Sequence, residues 1–137
     1  MKKVLLVVED DAITAHLYKL SLERAGYEVQ VSRDGKAALD AVAEKAPDAV
    51  LLDVMMPHLN GIEVLKRIKG DQKLRNIPVL IYTNAFVPKL IDDAKAAGAA
   101  DVLEKTTLTP ITLCKILGTA LNQHPPDAPA ITSERAA

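Results

Sequence analysis

Ala49-Val50-Leu51-Leu52-Asp53, with Pro47 just before it and Met55-Met56-Pro57 just after, is the stretch on which the fold turns. Four consecutive apolar residues with no alternation read as a strand buried on both faces. The run ends on an acid, where a strand would leave the core. Working outward in both directions, the same arrangement recurs. Upstream, Val4-Leu5-Leu6-Val7-Val8 is a second buried run, and it ends on Glu9-Asp10-Asp11. Downstream, Val79-Leu80-Ile81-Tyr82 is followed by Thr83-Asn84, and the short run Val102-Leu103 is followed by Lys105. Val29 and Val31 alternate with polar residues, which suits an edge strand.

Amphipathic stretches separate these runs. Between Asp11 and Ala25, Ile13, Leu17 and Leu20 fall at helical spacing and Gly26 ends the pattern. Asp34 caps a helix through Lys45 with Ala37, Ala38, Ala41 and Val42 inward, and Pro47 breaks it. Asn60-Gly61 turns into a helix carrying Ile62, Leu65 and Ile68. Pro88 opens another, with Leu90, Ile91, Ala94 and Ala97, closed by Gly98. Thr109-Pro110 begins the last, with Leu113, Ile116, Leu117, Ala120 and Leu121 on one side. Strand and helix thus alternate five times over, which predicts a parallel sheet covered on both faces.

Composition narrows the function. The 137 residues suit one domain, and 49% of them are apolar, enough for a packed core. A formal net charge of −1 argues against bulk electrostatic binding to nucleic acid or anionic membrane. One Phe, three Tyr and no Trp leave no stacking platform for single strands. The single cysteine, Cys114, forms no internal disulfide, fits a reducing cytosol and reads as a small core residue. Apolar runs such as Val4–Val8 fall far short of the ~20 residues a membrane span needs. The run after Met1-Lys2-Lys3 stops too early for a signal-peptide core, so the expected location is the cytoplasm, with no membrane insertion. His16, His58 and His124 have no metal-ligand spacing. Met55 and Met56 read as packing residues. From His124 to Ala137 the periodicity stops among prolines and small residues, so residues 123–137 are expected to form a flexible tail or linker stub.

In a parallel sheet the carboxyl ends of all strands share one edge. Glu9, Asp10, Asp11, Asp53, Thr83 and Lys105 should converge there. Two carboxylates ~4 Å apart repel by ~4 kcal/mol at an effective dielectric of 20, so such a cluster calls for a proton or a cation. Hard oxygen ligands around an open position suit Mg²⁺, which retains waters and phosphate oxygens. A carboxylate nucleophile, a divalent metal and a cationic partner together make a phosphoryl-transfer site.

Val7-Val8-Glu9-Asp10-Asp11, Leu51-Leu52-Asp53-Val54-Met55-Met56-Pro57, Asn60-Gly61, Thr83 and Lys105 together resemble the receiver domain of two-component response regulators. The likeness is to a chemotaxis-regulator-like receiver, either stand-alone or excised from a longer protein. The resemblance covers about residues 3 to 122, so residues 1–122 are expected to be the receiver domain. It implies a flavodoxin-like, doubly wound (βα)₅ fold with a five-stranded parallel sheet in the order 2-1-3-4-5. It implies that Asp53 is the phosphoacceptor, and that Asp10, Asp53, Glu9 and the backbone carbonyl of Met55 hold Mg²⁺, or Mn²⁺ in its place. Thr83 and Lys105 would bind the phosphoryl group, while Asp11 would cap the first helix. The implied donor is a sensor histidine kinase or histidine phosphotransfer protein. The implied output is a protein contact on the fourth helix, fifth strand and fifth helix, with no direct binding of nucleic acid.

Three positions depart from the family's commonest pattern. Thr106 follows Lys105 where a cis proline is usual, Val102 stands where an aromatic reports the switch, and Asn84 replaces Ala or Gly after the Thr. These departures bear on the readout, and they keep alive a degenerate receiver that binds partners without phosphorylation. A Mg²⁺-dependent small-molecule phosphatase of the haloacid-dehalogenase kind would place its nucleophile after the first strand, with a second Asp two residues on. Glu9-Asp10-Asp11 lacks that spacing. A flavin module needs a Gly/Ser/Thr-rich phosphate loop where this chain has three acids.

Overall fold

A computed structural model of the chain describes residues 2–56, 59–84 and 87–122. Five strands alternate with five helices: β1 (Val4–Val8), α1 (Ala12–Arg24), β2 (Glu28–Ser32), α2 (Gly35–Glu44), β3 (Ala49–Asp53), α3 (Gly61–Gly70), β4 (Val79–Thr83), α4 (Pro88–Ala96), β5 (Asp101–Glu104) and α5 (Pro110–Asn122). The strands are parallel and ordered β2-β1-β3-β4-β5, the flavodoxin-like arrangement that the resemblance implies. β1, β3 and β4 are the inner strands, and their continuous apolar runs are buried almost throughout. β2 lies on an edge, as its alternation predicts.

Alternate residues of the strands feed two cores. Leu5, Val7, Leu51, Leu80 and Leu103 face one layer, covered by Tyr18 and Leu22 of α1 and Leu113 and Leu117 of α5. Leu6, Val8, Leu52 and Ile81 face the other, covered by α2, α3 and α4. A register slip by one residue would exchange the two sets, and each buried Leu or Ile is worth about 1.5–3 kcal/mol over exposure. Cys114 packs at the margin of the α1/α5 core, as expected of a small core residue.

Helix starts are set locally. Asp11, Asp34 and Asn60 accept hydrogen bonds from the backbone N–H groups of Thr14, Ala37 and Glu63, at 2.9, 2.8 and 3.1 Å. Pro88 sits at the start of α4, where its missing N–H costs nothing. Gly26 and Gly98 adopt φ of 101° and 104°, where a side chain would be strained.

Three packing expectations are corrected. Ala37, expected to face inward, is exposed, and α2 buries Ala38 and Val42. Ile13, Leu17 and Leu20 are 72%, 59% and 41% exposed; α1 instead buries Ala15, Tyr18 and Leu22. The helix carries two apolar stripes, and Tyr18 wins because its ring meets Tyr82 edge-on, at 5.5 Å between centroids. Met55 is 62% exposed rather than packed, while Met56 does lie against the α2/α3/α4 core. His58, His124, Pro57 and the tail 123–137 fall outside the described residues.

Candidate functional site

The carboxyl edge of the sheet brings Glu9, Asp10, Asp53 and Lys105 together. Val8 pairs with Leu52 and Asp53 pairs with Tyr82, so Glu9, Asp53 and Tyr82 follow one another across β1, β3 and β4. Each continues the row of side chains that faces α1 and α5. Lys105, two residues beyond Leu103, reaches the same place from the end of β5. Its backbone N–H donates to the Thr83 carbonyl at 2.9 Å, which ties the loop after β5 to the end of β4.

Glu9 and Asp53 are buried and Asp10 is exposed, yet carboxylate oxygens of all three lie within 4.8 Å of one another. The Lys105 ammonium bridges the buried pair, 2.6 Å from Glu9 Oε1 and 3.2 Å from Asp53 Oδ2. The Met55 N–H donates to Asp53 Oδ1 at 3.2 Å, and the Asp11 N–H donates to Glu9 Oε2 at 3.1 Å. Thr83 is fully buried at the end of β4, opposite Glu104 of β5. Gly61 is required just behind Asp53: a Cβ there would lie 2.6 Å from the Asp53 carbonyl oxygen and 2.8 Å from Val54 Cα. Only glycine lets the start of α3 press so closely on the strand end.

These contacts set the charges. Burial opposes the Glu9 carboxylate, but hydrogen bonds from Lys105, Tyr82 and Asp11 outweigh it and hold its pKa below the ordinary value. Burial, and then the negative Glu9 beside it, push Asp53 up to about 6, against the pull of Lys105 and Met55. Burial disfavours the Lys105 cation, yet bonds to Glu9 and the field of Asp53 raise its pKa. Asp11 is held low by hydrogen bonds from the Thr14 hydroxyl and N–H, as befits a helix cap.

An acidic triad whose oxygens crowd together, with a neutralising demand only partly met by one lysine, fits a divalent cation of the hard, oxygen-seeking kind. The groups match on donor chemistry: carboxylates on one side, and open access at Asp10. A groove of about 460 Å³ between α1 and the start of α5 reaches Lys105, with Asn84 on its wall. The Lys105–Thr106 bond is trans, since no cis peptide occurs among the described residues. Val102 is buried in the α2/α3/α4 core.

Two site residues escaped the sequence reading. Tyr82 donates its hydroxyl to Glu9 Oε1 at 2.6 Å. Its signal was a phenol inside an otherwise aliphatic buried run, where the O–H needs a partner. Arg33, after β2, donates from its guanidinium to the Asp10 carbonyl at 2.7 Å and steadies the acidic loop from outside. Nothing in the local pattern singled it out.

The parallel five-stranded fold with acids and a lysine on its carboxyl edge defines a phosphoacceptor class of signalling domain. Residues 5–117 match the response regulator receiver domain family, and the chain belongs to that family. It serves as a phosphorelay receiver in two-component signal transduction, a family whose donors are histidine kinases and phosphotransfer proteins. Among curated proteins it resembles the polar-differentiation response regulator DivK of Brucella ovis, 40% identical over 89 residues, or 65% of this chain and 72% of DivK. Among solved structures it resembles Vibrio cholerae chemotaxis protein CheY4, at 30% identity and TM-score 0.83, covering 88% of this chain and 100% of that one. It also resembles the receiver domain of a signal transduction histidine kinase from Syntrophus aciditrophicus, at 29% identity and TM-score 0.82, covering 88% and 91%. Among the described residues no helix is long and apolar enough to cross a membrane.

Proposed function

We propose that Asp53 accepts the phosphoryl group, with residues 1–122 forming the receiver and 123–137 a tail or linker. The supporting observation is the junction of Glu9, Asp53 and Lys105 on one sheet edge, with Asp10 beside them. A P–O bond to an Asp53 carboxylate oxygen replaces the P–N bond of a phosphohistidine, and the imidazole leaves protonated. Lys105 already touches Asp53 Oδ2 and is within reach of the incoming charge. The Met55 N–H orients the carboxylate through Oδ1. Thr83 closes on the phosphoryl group once it is attached.

Asp10, Asp53 and the Met55 carbonyl would hold Mg²⁺, with Glu9 joining directly or through water and Mn²⁺ as a substitute. The ion would supply charge neutralisation between the carboxylate and the incoming phosphoryl group. The domain modifies itself and later loses the group by hydrolysis, so it is a switch rather than a conventional enzyme. It works in the cytoplasm, where ATP-derived phosphoryl groups are available, and it passes its state to a protein partner. Incubation with acetyl phosphate and Mg²⁺, read by intact mass, tests this. Wild type gains one phosphoryl group and Asp53→Ala gains none; an unmodified wild type that also binds no Mg²⁺ overturns the proposal.

A further inference from the structure

Tyr82 is fully buried and sits across from Asp53 in the sheet register, yet its hydroxyl passes Asp53 and reaches Glu9. Its ring cannot easily move: Tyr18 packs edge-on against it at 88°, and the Lys105 ammonium lies 4.9 Å from its centroid on the face. The Glu9 carboxylate takes Tyr82 and Lys105 on Oε1 and the Asp11 N–H on Oε2. A buried carboxylate with donors on both oxygens has one orientation. One aromatic side chain thus touches both the acid and the cation that flank Asp53, through its hydroxyl and its face respectively.

We propose that Tyr82 is a positioning residue of the site: its hydroxyl orients Glu9 and its ring seats Lys105, so that both are set relative to Asp53 before a metal ion or phosphodonor arrives. This rests on the reading of Asp53 and its neighbours as the phosphoacceptor site. Groups that orient a metal-binding carboxylate through a hydrogen bond typically matter 10–100-fold for metal affinity. A tyrosine serving only the core would leave that affinity alone when its hydroxyl is removed.

The test is Mg²⁺ titration by calorimetry, with no phosphodonor present, on wild type, Tyr82→Phe, Glu9→Gln and the double variant. Phe keeps the ring and removes only the hydroxyl. Tyr82→Phe should weaken Mg²⁺ binding about 10-fold, and should have no further effect in the Glu9→Gln background. Equal affinity in wild type and Tyr82→Phe, or the same weakening in both backgrounds, overturns the inference alone. A wild type that binds no Mg²⁺ overturns the phosphoacceptor reading and this inference with it. Should Tyr82→Phe fail to fold, proton NMR decides on the other proteins. Wild type should show a slowly exchanging tyrosine hydroxyl proton that Glu9→Gln shifts, and its absence from wild type would refute the contact.

Discussion

Asp53→Asn should stabilise the metal-free protein at neutral pH. The Asp53 carboxyl titrates near 6 in the fold against an ordinary 3.8, because it is buried beside Glu9. The sign follows from linkage. Between pH 3.8 and 6 the folded carboxyl keeps a proton that the unfolded one has lost, so this group's contribution falls as pH rises through the window. Above pH 6 the whole penalty is present; at about 1.4 kcal/mol per pH unit it amounts to about 3 kcal/mol. Asparagine removes the charge and keeps an oxygen for the Met55 N–H. The penalty already includes the pull of the Lys105 contact at 3.2 Å, and in the variant Lys105 retains Glu9. The expected gain is about 3 kcal/mol, an increase of about 1.5 M in the urea midpoint. Urea unfolding in EDTA at pH 7.5 and at pH 5 measures it. The gain should shrink at pH 5, and Mg²⁺ at pH 7.5 should stabilise wild type more than the variant. An Asp53→Asn protein no more stable than wild type at pH 7.5 without metal would mean that burial beside Glu9 does not penalise the Asp53 carboxylate.

Lys105→Met should destabilise by about 3 kcal/mol, since it strips the shared cation from two buried carboxylates; urea unfolding at pH 7.5 without metal reads this, and added Mg²⁺ should restore part of it. Gly61→Ala should cost about 1–3 kcal/mol in the same assay, because its methyl group meets the Asp53 and Val54 backbone rather than a side chain that can yield. Asp11→Ala should lower the melting temperature by removing the α1 cap, and leave the calorimetric Mg²⁺ affinity unchanged; a lost affinity would make Asp11 a ligand instead.

Much of this architecture is written in local pattern. Val4–Val8 and Ala49–Leu52 are unbroken apolar runs that only doubly covered strands explain, and each ends on the acids of the site. Asp11, Asp34 and Asn60 announce their helices through caps a few residues long. What pattern lacks is register and the choice between rival faces. The Tyr82 phenol signals the need for a partner, but only its pairing with Asp53 lines it up with Glu9, 73 residues away. On α1, the spacing of Ile13, Leu17 and Leu20 is as helical as that of Ala15, Tyr18 and Leu22; packing against the sheet decides between them. Arg33 reaches Asp10 only because β2 lies beside β1.

Asp53, among three neighbouring acids, is the residue proposed to carry the phosphoryl group. Phosphorylation with acetyl phosphate and Mg²⁺, followed by borohydride reduction and peptide mass mapping, locates the acyl phosphate directly. Homoserine is expected at position 53, with none at position 10 and no 5-hydroxynorvaline at position 9. Reduction at Glu9 or Asp10, or a phosphoryl group found on another side chain, would contradict that assignment.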